Sequence, residues 1–168
     1  MSWVSSAMAD ADRSRGRDRR FAAFVADAEP RLRMALVAAY GPVDGREAAV
    51  DALSWAWENW DRLQEMANPV GYLYRVGQSA TRRYAARPLP PELLMMVEQR
   101  VPEITPELLP ALGRLSTQQR TVVVLVHALG WTLREVAALL DISPSTVREH
   151  LERAVTRLRD ELEVHNAR

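Results

Sequence analysis

The chain has 168 residues with no cysteine and only three scattered histidines (His127, His150 and His165), which excludes disulfides and thiolate metal sites, so we expect neither metal nor cofactor. Its 22 basic residues, all arginine, balance 22 acidic ones, and because DNA-binding proteins usually carry a basic excess, such a neutral chain is expected to hold DNA poorly alone. The longest aliphatic run, residues 122–126, is far shorter than the roughly 20 residues of a membrane span, and the N-terminus lacks a signal peptide's apolar region, so we expect a cytoplasmic protein.

The first part of the chain predicts helices separated by short breaks. Residues 1–17 lack hydrophobic periodicity and predict a disordered tail. In residues 18–41 apolar side chains recur every three or four positions, which indicates amphipathic helix on both sides of Pro30. A longer helix is predicted over residues 46–63. Its apolar stripe is expected to consist of Val50, Leu53, Trp57 and Trp60.

The middle of the chain predicts a loop, one more helix and a linker. Residues 61–68 form the loop, and the pair Asn68-Pro69 matches an N-cap followed by proline, so a helix is expected to run to about residue 85. Residues 87–110 are rich in proline and carry four glutamates against two arginines, which predicts an acidic linker. The expected organisation is all-α, with two small helical domains at 18–86 and 111–168.

Capping signals are dense after the linker. Ser116 and Thr132 each precede Gln or Glu by three positions, as in a capping box, and Ser143 stands before a proline. Each signal predicts a helix start. The expected helices cover residues 106–113, 117–129, 133–140 and 144–162.

Residues 133–152 fit a helix-turn-helix motif. Val136, Leu140 and Val147 have the spacing of apolar residues that pack two short helices together. Asp141 stands in the turn where glycine is usual, and aspartate tolerates a left-handed backbone better than most residues. The second helix is then expected to leave four side chains facing outward, where a recognition helix meets the major groove. These are Ser145, Arg148, Glu149 and Glu152.

The outward charges of this helix have two interpretations. In the functional one, Arg148 is the best candidate for reading guanine. In the other, any capped helical hairpin gives this pattern and the charges only form a solvated face. Likewise, Arg153 and Arg157 fit phosphate contacts, or ion pairs with Glu149 and Glu161 at helical spacing.

Two stretches of the sequence resemble one protein family. The run LGRLSTQQRTVVVLVHALGWTLREVAALLDISPSTVREHLERAVTRLR is similar to region 4 of sigma factors, especially of the two-domain extracytoplasmic-function group. The run REAAVDALSWAWENWDRLQEMANPVGYLYRVGQSATRR resembles region 2 of the same group. Their order, with a Pro-rich acidic linker between them, strengthens the resemblance.

The resemblance implies a transcription initiation factor that binds core RNA polymerase, recognises promoter -35 and -10 elements and assists promoter opening. The implied partners are core RNA polymerase, promoter DNA and an anti-sigma factor. A membrane is not expected among the partners. For the -35 element it implies Arg134, Ser145, Thr146, Arg148, Glu149, Glu152 and Arg153. For the -10 element it implies Asp61, Arg62, Gln64, Asn68, Arg75, Ser79, Arg82 and Arg83. For polymerase binding it implies Glu47, Asp51, Ser54, Trp55 and Glu58.

Some positions depart from the family pattern. The family usually shows Gln, Asn and Asp where this chain has Val50, Ser79 and Arg83, so its -10 specificity does not transfer directly. Of the tryptophans, we expect the two on the apolar stripe in the core and Trp55, which lies off the stripe, at the polymerase interface.

Two other classes of protein are alternatives to a sigma factor. A conventional helix-turn-helix regulator would bind a palindromic operator as a dimer without polymerase. An enzyme would need a nucleophile motif, a phosphate-binding glycine loop or a His-carboxylate cluster, and the sequence shows none of these.

Overall fold

The computed structural model describes residues 2–81 and 108–166. These two ranges are helical and contain no strand, in agreement with the all-α prediction. The N-terminal module contains α1 (Ser2–Tyr40), α2 (Pro42–Glu58), α3 (Trp60–Leu63) and α4 (Pro69–Thr81). The C-terminal module contains α5 (Leu108–Arg114), α6 (Thr117–Val123) with a π-helical turn (Val124–Ala128), α7 (Leu133–Leu140) and α8 (Pro144–Asn166). No helix in this part of the chain is long and apolar enough to cross a bilayer.

Helix α1 is continuous where the sequence predicted a disordered tail and a break. Residues 2–17 are helical, and Gly16 is the residue of lowest helix propensity among them. Pro30 lies inside the same helix. Ala28 and Leu32 on either side of the proline are fully buried, and their packing offsets the hydrogen bond that proline cannot donate.

Several other boundaries differ from the predicted ones. The helix predicted over residues 46–63 is divided at Asn59 into α2 and α3, so a helical turn occupies the start of the predicted loop 61–68. Most of the predicted linker falls in residues 82–107, outside the described residues. The domain limits drawn from the sequence therefore stay predictions.

The N-terminal module packs around a face of α2 built from alanine. The buried residues of this face are Ala48, Ala49, Ala52 and Ala56. Because they are small, α2 approaches α1 so closely that a Cβ on Gly45 would lie 2.5 Å from backbone atoms of Val37. The predicted apolar stripe is therefore partly wrong: Trp60 is 5% exposed, but Val50 is 62% and Trp57 42% exposed. The large side chains at positions 50 and 57 of α2 therefore lie on its outer side.

Side-chain caps start three helices of the C-terminal module as predicted. Ser116 and Thr132 each accept a hydrogen bond from the backbone N–H three residues later, and Gln119 and Glu135 return the contact, which confirms both capping boxes. The Ser143 hydroxyl accepts from the backbone N–H three residues later at 3.1 Å. These caps satisfy N–H groups that a helix leaves without partners.

Helices α7 and α8 form the predicted helix-turn-helix. Val136 and Val147 are fully buried between them. Asp141 in the turn has φ 54° and ψ 49°, the left-handed conformation expected from the sequence. The turn therefore keeps the geometry that glycine usually provides in this motif.

The two modules contact each other directly, with α1 and α4 against α6 and α7. The Arg120 guanidinium of α6 donates to the Ala39 carbonyl oxygen, near the end of α1, at 2.6 Å. After the π-helical turn, Gly130 has φ 72°, and the guanidinium of Arg31 in α1 lies 5.6 Å from the centre of the Trp131 ring. Their apolar side chains form one continuous core across both modules.

The close approach of α1 and α2 predicts the effect of adding one methyl group. Gly45→Ala should lower the free energy of unfolding by about 1–3 kcal/mol, because its Cβ collides with backbone that cannot move aside alone. Gly16→Ala is the matched control: nothing lies within 4 Å of its Cβ, and it should stabilise α1 by up to about 1 kcal/mol. Urea denaturation measures both changes, and equal effects would contradict this packing.

The capping box of α7 predicts a pH dependence. The backbone N–H and hydroxyl of Thr132 both donate to the Glu135 carboxylate at 2.8 Å and hold its pKa below the ordinary value for glutamate. This stabilisation is complete above the pKa that Glu135 has in the unfolded chain and is lost as the pH falls through the lower, folded one. In thermal denaturation, Glu135→Ala should therefore have a lower Tm than the wild type at pH 7. The two Tm values should converge at acid pH. Glu135→Gln, which keeps a neutral cap, should remove the pH dependence of this cap.

Candidate nucleic-acid interface

The start of α8 presents hydroxyl and charged groups. The Ser143 hydroxyl lies 2.7 Å from that of Ser145 and 2.8 Å from that of Thr146, so the three form a cluster at the helix N-terminus. Ser145 is exposed and Thr146 is half-buried. The exposed members of the predicted -35 set are Arg134, Ser145, Arg148, Glu149, Glu152 and Arg153. The structure brings the α8 members of this set together on one short segment of helix.

Ion pairs engage part of the charged surface of α8. The carboxylate of Glu149 lies 3.6 Å from the Arg153 guanidinium, so the ion pair that the sequence left open for Arg153 is present. Glu161 pairs with Arg114 of α5 and not with Arg157. Arg153 thus has a carboxylate partner that a phosphate would have to displace.

The predicted -10 loop starts as helix and is contacted by α1. Asp61, Arg62 and Gln64 are exposed. Arg17 lies beside them, with its Nε 3.8 Å from the Asp61 carboxylate. The Arg17 guanidinium also donates to the Trp57 carbonyl oxygen at 2.9 Å and lies 4.6 Å from the centre of that indole ring. Arg17 was not predicted from the sequence because these contacts join residues 40 or more positions apart.

The end of the loop and the start of α4 contact the C-terminal module. The Asn68 side-chain oxygen accepts from the Gly71 N–H at 3.0 Å, which confirms the predicted cap, and its amide nitrogen donates to the Ala138 carbonyl oxygen at 2.5 Å. Arg75 forms an ion pair with Asp141 of the helix-turn-helix turn. Two residues predicted to bind the -10 element are therefore already engaged within the chain.

The remaining part of the predicted -10 set is only partly described. Ser79 is exposed one turn after Arg75, so both lie on the same side of α4. Arg82 and Arg83 lie outside the described residues. The predicted basic row is therefore observed as far as Ser79.

Polar side chains are buried where the modules meet. Burial raises the pKa of the Tyr74 phenol, and a hydrogen bond with the buried Thr121 side chain partly opposes this shift. Desolvation lowers the pKa of the Arg120 guanidinium, and Tyr40 and Tyr74 lie in its surroundings. Among the described residues, no group of three acidic or histidine side chains is placed to hold a metal ion.

The outer face of α2 is both apolar and acidic. Val43, Val50 and Trp57 are spaced seven residues apart and are all exposed, so they form a row along the helix. The polar predicted polymerase-binding residues around this row are exposed: Glu47, Asp51, Ser54 and Glu58. Trp55 is half-buried, with its ring 5.1 Å from that of Tyr72. The most exposed tryptophan between residues 55 and 60 is thus Trp57, and not Trp55 as expected.

Comparisons with known proteins agree with this arrangement. The family described as Sigma-70, region 4 matches residues 107–158, which include the helix-turn-helix. An RNA polymerase sigma-E factor from Streptomyces antibioticus is 34% identical over 135 residues, covering 74% of this chain and 74% of that protein. The sigma-E factor from Streptomyces coelicolor is 34% identical over 131 residues, covering 72% of this chain and 73% of that protein.

Solved structures show the same fold. CnrH in complex with the cytosolic domain of CnrY aligns with a TM-score of 0.60 and 27% identity, over 92% of this chain and 94% of that one. The sigma factor RpoE from Bartonella quintana, in complex with the anti-sigma factor NepR, aligns with a TM-score of 0.56 and 20% identity, over 87% and 98% of the chains. The family resemblance seen in the sequence is confirmed, and the chain belongs to the extracytoplasmic-function group of RNA polymerase sigma factors.

Proposed function

We propose that this sigma factor binds core RNA polymerase and directs it to promoters, reading the -35 element with α8 and the -10 element with the segment from α3 to α4. The match to sigma-70 region 4 over a helix-turn-helix with an exposed recognition helix is the observation that carries this proposal. The chain acts by binding, without a catalytic step, in the cytoplasm with polymerase.

The -35 reading follows from the side chains that α8 exposes. Arg148 carries two donors in the geometry that guanine accepts in the major groove. Glu149 and Glu152 repel phosphate but accept from the amino group of cytosine. The serine hydroxyls at the helix start suit phosphate contacts that set the position of the helix.

The proposed -10 site consists of the exposed turn after α3 and the exposed side of α4. A loop beside a helix carrying Arg75 and Ser79 suits a single strand, whose backbone follows the helix while an unstacked base enters the loop. Arg17 positions this loop through Asp61. Ser79 stands where the family usually has asparagine. The base that this chain prefers in the -10 element is therefore expected to differ from the family's usual one.

The apolar row of α2 is the proposed polymerase contact. Val43, Val50 and Trp57 supply an apolar centre, and the surrounding carboxylates supply a polar rim that fits a basic partner surface. Holding both modules on one large partner raises their effective concentration at the promoter, so a neutral chain needs no strong field of its own.

An anti-sigma factor is a proposed second partner. Two sigma factors of similar fold were solved as complexes with such partners, NepR and CnrY. The conventional regulator considered from the sequence is not favoured, because the similar curated proteins are RNA polymerase sigma factors. Run-off transcription with core polymerase on promoter DNA decides between the two, since a conventional regulator would give no start sites that depend on it.

Substitution of Arg148 tests the -35 assignment. On promoters mapped by run-off transcription, Arg148→Ala should reduce initiation about 5- to 150-fold, because a bidentate contact to guanine contributes about 1–3 kcal/mol. The loss should be smaller on templates in which the contacted guanine is replaced. Arg159→Ala, an exposed arginine further along the same helix, is the control and should initiate normally. Equal losses in the two variants would contradict base reading by Arg148.

The exposed row of α2 is tested by a charge placed at its centre. Val50→Asp should weaken binding to core polymerase at least about tenfold, because a buried apolar contact is replaced by an unpaired carboxylate. Fluorescence anisotropy of labelled protein with core polymerase measures the affinity. Ala26→Asp places the same charge on an exposed position of α1 and should leave the affinity unchanged. Tight binding of the Val50 variant to core polymerase would contradict the assignment of α2 to the interface.

A further inference from the structure

A cluster of arginines lies in the first half of α1. Residues 13–20, here called the arginine segment, contain five arginines and one aspartate, although the whole chain carries as many acidic as basic residues. Four of these arginines are exposed: Arg13, Arg15, Arg19 and Arg20. Because like charges one helical turn apart repel each other, the segment lowers the stability of its own helix, and an anionic partner would relieve this repulsion.

The fifth arginine, Arg17, fixes the position of the segment on the N-terminal module. Its guanidinium donates to the Trp57 carbonyl oxygen at 2.9 Å, and its Nε lies 3.8 Å from the Asp61 carboxylate. One turn later, the Phe21 ring lies 5.0 Å from the Trp57 ring and 5.3 Å from that of Trp60. Asp61 belongs to the proposed -10 surface, and its side chain is 82% exposed. The arginine segment is therefore held at the edge of that surface.

Helical geometry divides the other arginines between two sides of α1. Successive residues are about 100° apart around a helix, so Arg13 and Arg20 lie within about 60° of Arg17, both to the same side of it. Arg15 and Arg19 lie about 160° from Arg17, on the side of α1 that faces away from α2. None of the ion pairs between described residues involves Arg20. Its exposed guanidinium can therefore bind an outside anion without displacing a carboxylate.

We propose that the arginine segment is a further DNA contact, in which Arg13 and Arg20 bind backbone phosphates next to the -10 element. Arg17 is a positioning residue that holds the segment at the end of α2. This inference rests on the proposed function, because the -10 surface brings the DNA to this edge of the module. Guanidinium groups form strong charge-assisted hydrogen bonds with phosphate, and such contacts set the position of DNA without reading its bases.

Charge favours DNA over polymerase as the partner of the segment. The exposed row of α2 is bordered by the carboxylates of Glu47, Asp51 and Glu58, so a matching polymerase surface is basic. Such a surface would repel the arginine segment, which is anchored at the last turn of the same helix. A DNA backbone would attract it. Arg17 also neutralises part of the charge of Asp61, which would otherwise repel a strand in the -10 loop.

The salt dependence of promoter binding tests this contact. Each phosphate that a protein neutralises adds about 0.7–0.9 to the slope of log K against log salt concentration, the lower value for a single strand. Holoenzyme assembled with Arg20→Ala should therefore show a slope smaller by about 0.7–0.9 and an affinity about 3- to 10-fold lower at about 100 mM salt. The loss should be the same on promoters that differ only in the bases of the -10 element. Fluorescence anisotropy of labelled promoter fragments, titrated with holoenzyme at several salt concentrations, measures both quantities.

Two further variants are matched controls. Arg19→Ala removes the same charge from the adjacent position, which points away from α2, and should leave the slope nearly unchanged. Arg20→Lys keeps the positive charge and should retain most of the slope, because lysine also binds phosphate as a point charge. Alanine has the highest helix propensity, so neither alanine variant should unfold α1, and circular dichroism checks this.

Binding to core polymerase without DNA separates the possible outcomes. Arg20→Ala should bind core polymerase with the affinity of the wild type. Weaker binding to core polymerase with an unchanged salt slope would assign the segment to polymerase and overturn the proposal. Equal changes of slope in the Arg19 and Arg20 variants would also overturn it, since they would show a general effect of charge and no defined contact. If the wild-type holoenzyme forms no promoter complex, the proposed function fails, and this inference fails with it.

Discussion

The close contact between the backbones of α1 and α2 constrains the rest of the N-terminal module. On the α2 side, glycine and alanine line the contact between these helices, so α2 contributes little apolar area per residue to the core. The larger apolar residues of α2 are displaced to the opposite side. The same constraint that packs the module thus produces the exposed row that we assign to polymerase.

Local interactions explain what the sequence could predict. A capping box depends on four consecutive residues, and the helix-turn-helix on about 20, so Ser116, Thr132 and the left-handed Asp141 were found from spacing alone. The inner face of α2 was not, because periodicity shows that two faces differ without showing which one is inside. Small residues occupy the inner face of α2 because they let the two helices approach closely. This close approach, and not the hydrophobicity of each residue, decides which face is buried.

Long-range contacts explain what the sequence could not predict at the candidate site. Arg17 and Arg120 contact residues 40 and 81 positions away, and neither has a neighbour in sequence that signals the contact. The balance of charges is also visible in the structure: Arg17 and Arg75 face carboxylates that are distant in sequence, and Arg153 faces a carboxylate one helical turn away. Binding to DNA there exchanges one anion for another, so its net gain is smaller than the number of arginines suggests.

The π-helical turn after α6 has a consequence for chain length. A π turn accommodates one residue more than an α turn, and here it leads directly to the reversal at Gly130. Because the bulge itself holds the extra residue, deleting one residue within 124–128 would return this turn to a regular α-helix, while the residues after it would keep nearly their present direction. The same deletion from a regular helix would rotate everything after it by about 100°. The segment 124–128 is therefore the place in this module where a change of one residue in chain length is expected to disturb the packing of α7 and α8 least.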